Sequence, residues 1–252
     1  MLLSKQEEIT NLKLNKMIDA SENIYSVEQF DFEFSKVSNL ILHSYTEIIK
    51  NEKIEYTKLE DKKYRVILPN GKEKPEEYIR NVFLDKKYMR NKKLKREFDV
   101  SDLEFLPETG EIKNRQIIGY HDFRVSGLGR KILSEADEDI YFSIECKRLN
   151  NAKQSPEKYV NEGIIRYTTG KYSDFMPIAG MIAFIEDKHF DYSNEIDKIL
   201  KKHKSIQTVQ FFTQSKVSND IYKSKHLKNK NKHQISINHF LFDFSTIIIK
   251  VA

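Results

Sequence analysis

The stretch Tyr141–Leu149 reads Tyr-Phe-Ser-Ile-Glu-Cys-Lys-Arg-Leu and sets a carboxylate two residues before an ammonium. In a strand, alternate side chains share a face. Phe142, Ile144 and Cys146 then form an apolar face, with Ser143, Glu145 and Lys147 on the opposite one. Carboxylate oxygens hold hard cations such as Mg²⁺. Divalent cations bind the attacking and leaving oxygens of a phosphodiester, lower the pKa of a water and orient in-line attack. The same two side chains could equally form an ion pair on a solvated sheet face, worth little energetically. Glu138 and Asp139 bound the stretch on one side and Asn150-Asn151 on the other.

A Glu-x-Lys on a strand resembles the PD-(D/E)xK nuclease superfamily, the restriction-endonuclease-like fold. The resemblance covers roughly residues 75–186. That family pairs the motif with an upstream Asp at the end of a neighbouring strand. Asp122, within Ile117–Val125, is the candidate. Ile117, His121, Phe123 and Val125 share one face there, and Asp122 and Arg124 the other; His121 stands where the family name has Pro. The resemblance implies Asp122 and Glu145 as metal ligands, with the carbonyl of Cys146 as another. It implies that Lys147 positions or deprotonates the water, or stabilises the pentavalent phosphorus. The implied cofactor is Mg²⁺ or Mn²⁺. Asp137 or Asp139 takes the place of Asp122 if the strands pair differently.

Family members often carry a further Glu on the first core helix, and Glu76 or Glu77 fits that place. Pro75 suits the first turn of a helix. An acid just after it also complements the helix dipole with no further role. Ile79, Val82 and Phe83 continue an apolar stripe. The helix is expected to run on into Lys86, Lys87, Arg90, Lys92, Lys93, Lys95 and Arg96, a segment without acids. Such a run is a solvated face or a track for phosphates, so Lys92, Lys93 and Lys95 are candidate nucleic-acid contacts.

The surrounding elements alternate between helix and strand. Asp31–Asn51 has apolar residues at helical spacing, and Tyr64–Leu68 reads as a strand before a Pro69-Asn70-Gly71 turn. Residues 98–106 suit the first strand of a sheet, closed by a turn over Pro107–Gly110. After the Glu-x-Lys strand, Val160, Ile164 and Tyr167 define a helical face over Pro156–Tyr167. Gly163 there predicts close packing on the sheet, and Gly170 ends the helix. Arg166 and Lys171 are candidate phosphate contacts. Ile178–Ile185 is apolar throughout, as in a strand covered on both faces. Ser193–Lys204 reads as a surface helix, Val209–Phe212 as a strand, 221–233 as a long exposed loop, and Ile235–Phe244 as a strand. His226 and His239 read best as histidines satisfied by their neighbours.

The expected fold is therefore α/β, with a restriction-endonuclease-like core: a central mixed β-sheet flanked by helices. Residues 1–70 are expected to form a mainly helical N-terminal extension, the first 26 a frayed helix or arm, and 71–252 the nuclease-like domain. The chain has 252 residues, 39% hydrophobic, with 16 Phe and 13 Tyr, enough for a core. Its net charge of +5 permits an anionic partner without demanding one. One cysteine excludes an internal disulfide. The longest apolar run falls far short of the roughly 20 residues of a membrane span. The first residues lack the pattern of a signal peptide, so a cytoplasmic location is expected, without a membrane partner.

The resemblance implies a metal-dependent phosphodiesterase, an endonuclease or exonuclease acting on DNA rather than RNA, in bacterial restriction or anti-phage defence. A homodimer, or a partner protein in a defence complex, is implied on the same basis. The rival readings are a catalytically silent nucleic-acid-binding module and a subunit that acts only inside a larger complex.

Overall fold

The computed structural model describes residues 27–113, 116–127, 141–151, 153–172, 176–187, 189–230 and 232–251. The readings of residues 1–26 and of Asp137, Glu138 and Asp139 lie outside them. The fold is mixed α/β, with a seven-stranded sheet, a four-stranded sheet and a two-stranded hairpin.

Helix α1 (Val27–Asn51) forms because its apolar residues recur every three or four positions. Phe34, Val37, Leu40, Ile41 and Ile48 make one buried stripe. The chain then builds β1 (Ile54–Lys58), β2 (Tyr64–Leu68) and β3 (Gly71–Glu73). At the turn into β3, Gly71 has φ +148°, a conformation other residues rarely adopt. Helix α2 (Pro75–Phe83) begins with proline in its first turn and carries Glu76 and Glu77 beside it.

The basic run does not extend α2 as expected. The helix ends at Phe83, the Asp85 carboxylate accepts from the Lys87 amide, and Asn91 caps a separate short helix α3 (Lys92–Glu97). Both side chains offer the backbone a turn in place of a helix. The strand expected over 98–106 shortens to β4 (Glu104–Pro107), because Asp99 at φ +55° and the Val100 amide bonded to the Lys95 carbonyl close off α3. A hairpin of β5 (Gly110–Lys113) and β6 (Gln116–Tyr120) leads into β7 (Phe123–Ser126).

Strand β8 (Phe142–Leu149) is followed by a helix, α4. Its three contiguous parts are Gln154–Lys158, the π-helical Tyr159–Ile164 and Ile165–Thr168. Then come β9 (Ile178–Ile185), helix α5 (Tyr192–Lys202), β10 (Gln207–Gln214), β11 (Ile221–Leu227), β12 (Gln234–Asp243) and β13 (Ile248–Val251). The large sheet has the order β10-β11-β12-β9-β8-β7-β4, with β8, β9 and β12 parallel neighbours at its centre. β13 pairs in parallel with β1, joining the last strand to the first in the smaller sheet.

Two apolar layers sandwich the large sheet. On one side α1 and α2 pack on Phe142, Ile144, Cys146, Ile182, Phe184 and Phe242. Phe34 meets Phe142 edge-on at 4.8 Å, and Tyr45 stacks on Phe242 at 4.0 Å. On the other side α4 and α5 pack on Ala179, Met181, Ala183 and Leu241. Seven of the eight β9 residues are buried, as the apolar run requires of a strand covered twice. Gly163 of α4 lies against Met181; a Cβ there would come within 2.3 Å of the Met181 methyl.

The expected loop over 221–233 is instead largely strand β11. Two of its three buried residues, Ser224 and His226, are polar, so the sequence alternation hides its buried face. They satisfy one another: Ser224 Oγ lies 2.7 Å from Nε2 of both His226 and His239. His226 Nδ1 reaches Thr208, and His239 Nδ1 reaches the Tyr159 hydroxyl at 2.9 Å. One serine proton serves only one histidine, so the other histidine must donate to Ser224. Burial pushes His226 down to about 4 and His239 well below its usual value.

Candidate active site

The site forms where β7 stops short of β8. The register runs Val125 opposite Phe142, Arg124 opposite Ser143 and Phe123 opposite Ile144. Asp122 follows in line with Glu145, just past the last paired residue. In a strand, alternate residues direct both backbone polar groups to one edge. Phe142 and Ile144 face β7, while the Leu149 carbonyl bonds the Glu186 amide on the β9 side. Cys146 and Arg148 therefore turn their backbone groups to the edge that β7 vacates. The Cys146 amide donates to Asp122 Oδ2 at 2.7 Å, and the Arg148 amide to Glu76 Oε2 at 3.0 Å. The Cys146 carbonyl shares that edge; its thiol is buried in the core.

Glu145 and Lys147 occupy the opposite face from Cys146, as the alternation requires. That face is not solvated, so the reading as an exposed ion pair fails. Helix α4 covers it, leaving the Glu145 side chain 1% exposed and Lys147 12%. Glu145 Oε1 accepts from Lys147 Nζ at 2.6 Å and from Arg166 Nη1 at 2.5 Å. Glu145 Oε2 is buried with no hydrogen-bond partner. The Lys147 stem passes close to Gly163 of α4, its Cγ 3.9 Å from where a Cβ would stand, an ordinary packing distance.

The structure brings Glu76, Asp122, Glu145, the Cys146 backbone, Lys147 and Arg166 together. Glu77 instead pairs with Lys74 at 2.7 Å, which settles which acid of α2 faces the cluster. Lys171 lies beside Arg166, its ammonium 5.7 Å from the Tyr172 ring. Lys92, Lys93 and Lys95 are not brought here: none of their described contacts reaches the carboxylates. Lys92 and Lys93 are exposed on α3, and Lys95 sits 5.9 Å over the Phe105 ring. Lys93 lines a cleft of about 500 Å³ with His43, Glu47 and Tyr88.

Sequence reasoning missed three supports. Arg80, one turn beyond Glu76 on α2, holds Asp122 Oδ1 at 3.3 Å and Glu108 at 2.8 Å. Tyr172 holds Arg166. Glu186, just past β9, accepts two bonds from Arg148 and one from the Tyr56 hydroxyl, tying the end of β8 to the small sheet. Only the Glu76–Arg80 spacing signalled any of these.

Three carboxylates around one ammonium shape the electrostatics. Burial, and then Asp122, pushes Glu145 up to about 7 against the pull of Lys147 and Arg166. Burial raises Glu76 as well, with Asp122 adding to it and Lys147 opposing. Burial alone would lower Lys147, but Glu145, Glu76 and Asp122 together hold its ammonium above the usual lysine range.

Glu76, Asp122, Glu145 and the Cys146 carbonyl are oxygen donors of the kind Mg²⁺ takes. The orphaned Glu145 Oε2 is an atom that such an ion would satisfy. Among the described residues, no three acidic, histidine or cysteine side chains stand in ligating geometry. The protein's own cations account for this: Lys147 and Arg166 hold Glu145, and Arg80 holds Asp122. The donor set therefore fits the ion by chemistry, with the carboxylates drawn to side-chain cations. Among the described residues no helix is long and apolar enough to cross a membrane. Comparison with protein-family models, with curated proteins and with solved structures returned no match.

Proposed function

We propose that this chain is a metal-dependent nuclease with a restriction-endonuclease-like core of the PD-(D/E)xK kind, acting on DNA. One observation carries the reading: Asp122 lies in line with Glu145 beyond the last β7–β8 pair, and Lys147 is bound to Glu145. Mg²⁺ or Mn²⁺, when bound, supplies charge to the phosphodiester oxygens and acidifies a water. Glu76, Asp122, Glu145 and the Cys146 carbonyl would hold it. Arg80 and the Cys146 amide fix the two oxygens of Asp122. Glu145, Glu76 and Asp122 hold the Lys147 ammonium above the usual lysine range, and an ammonium there suits the stabilisation of charge on the phosphate oxygens.

A second reading is favoured by the engagement of Glu145 Oε1 by two cations. A site so neutralised would bind a phosphate backbone without cleaving it. The two readings separate in one assay. Plasmid DNA, single-stranded DNA and RNA are incubated with Mg²⁺, Mn²⁺ or EDTA, with Asp122→Ala, Glu145→Ala and Lys147→Ala in parallel. Cleavage that needs metal and is lost in all three variants supports the nuclease. Salt-sensitive binding without cleavage supports the binding module, and cleavage that persists in EDTA or in the variants sinks the assignment of the site.

A further inference from the structure

Arg166 differs from the other arginines of this region in how its donors are used. A guanidinium carries five N–H donors in a fixed plane. In Arg166 both Nη1 protons are engaged, one by Glu145 Oε1 and one by the Tyr172 hydroxyl at 2.9 Å. That hydroxyl in turn donates to the Tyr120 carbonyl, so the anchor is itself held. The edge formed by Nε and Nη2 has no partner among the described residues. Arg148 spends the same edge on Glu186, with bonds of 2.6 and 2.9 Å. Arg80 gives Nη1 to Asp122 and Nη2 to Glu108.

This Nε–Nη2 edge of Arg166 carries two parallel N–H bonds, the arrangement that takes two oxygens of one phosphate. The Arg166 side chain keeps 27% of its surface, against 1% for the carboxylate it holds. It is thus the solvent-side cation over a buried acid. Lys171 places a second cation 5.7 Å from the same tyrosine ring.

We propose that the Nε–Nη2 edge of Arg166 is a bidentate ligand for a backbone phosphate of the nucleic acid, seated beside Glu145 and Lys147. The proposal rests on the reading of this site as one that handles phosphodiesters. In this role Glu145 and Tyr172 aim the guanidinium, and the substrate completes its hydrogen bonding.

Binding is measured by fluorescence anisotropy with short labelled duplex DNA, single-stranded DNA and RNA. Ca²⁺ replaces Mg²⁺, and salt is varied. The proteins are wild type, Arg166→Ala, Arg166→Lys and Tyr172→Phe, each checked by thermal melting. Arg166→Lys keeps a cation for Glu145 but has no fork. Both Arg166 variants are expected to bind about tenfold more weakly. The salt slope is expected to fall by about one in Arg166→Ala and to stay unchanged in Arg166→Lys. Tyr172→Phe frees Nη1 and is expected to lose affinity by a smaller factor, so the proposal stays testable if Arg166→Ala fails to fold. The duplex, single-stranded and RNA arms identify which backbone supplies the phosphate. Wild-type affinity in Arg166→Lys would overturn the bidentate contact, and wild-type affinity in Arg166→Ala would leave Arg166 a structural partner of Glu145. If wild type binds none of the three probes, the nuclease reading falls together with the proposal.

Discussion

Glu145→Gln tests the electrostatics of the site independently of any cleavage. The carboxyl rises from an ordinary value of 4.5 to about 7 in the fold, first through burial and then through Asp122. A carboxyl raised in the folded state favours the fold while protonated. Its stabilisation is complete below the unfolded value and is lost as pH climbs through about 7. At about 1.4 kcal/mol per pH unit, the gap amounts to about 3 kcal/mol. For a chain of this size that corresponds to roughly 6–12 °C in melting temperature. Glutamine has nearly the same shape and no proton to lose. The melting temperature of wild type minus that of Glu145→Gln should therefore fall by this amount between about pH 5 and pH 8 in EDTA.

The pH-dependence is the safer quantity, because the absolute offset contains a competing effect. Glutamine puts an amide NH2 at the buried position of Glu145 Oε2, which has no hydrogen-bond partner, and this destabilises at every pH in that range. His226 and His239, neutral in the fold, weaken both proteins as pH falls below the ordinary value of 6.5. They are common to the two proteins and cancel. Added Mg²⁺ should reduce the high-pH loss in wild type alone, since it binds the charged carboxylate. Parallel melting curves across this range, or a wild type that gains on the variant as pH rises, would refute the argument that burial and Asp122 outweigh the two cations.

Other consequences are open to measurement. Gly163→Ala should gain about 1 kcal/mol of helix propensity and lose about 1–3 kcal/mol to overpacking. The crowding is against Met181, so denaturant melts should show a smaller loss in a Met181→Val background; equal losses would exclude that contact. Ser224→Ala strips the shared partner from two buried histidines and should cost about 2–4 kcal/mol by urea titration. A cost below about 1 kcal/mol would mean that the histidines re-pair. Glu186→Ala leaves Arg148 without its bidentate partner and should cost about 3 kcal/mol. Hydrogen exchange should then quicken first in β1, whose Tyr56 hydroxyl also bonds Glu186; uniform loss of protection would argue that Glu186 does not hold the two sheets together.

What the sequence revealed and what it hid follow from the range of the interactions. The Glu-x-Lys strand was legible because its alternation is strict over consecutive residues and both faces are used: Phe142, Ile144 and Cys146 in the core, Ser143, Glu145 and Lys147 under α4. Pro75 and Gly163 were legible because each residue type has a narrow conformational or steric role. Strand β11 was not, because Ser224 and His226 look solvated until His239 on the neighbouring strand satisfies them. The β1–β13 pairing joins residues nearly the whole chain apart, and no local pattern reports it. Arg80 lies between these limits. It sits four residues from Glu76, yet its partners Asp122 and Glu108 come from a separate strand and turn. A local pattern can propose which carboxylates converge. It cannot tell which cations the fold sends to meet them, and those cations decide whether Asp122 and Glu145 are held by the protein or are free to take a metal ion.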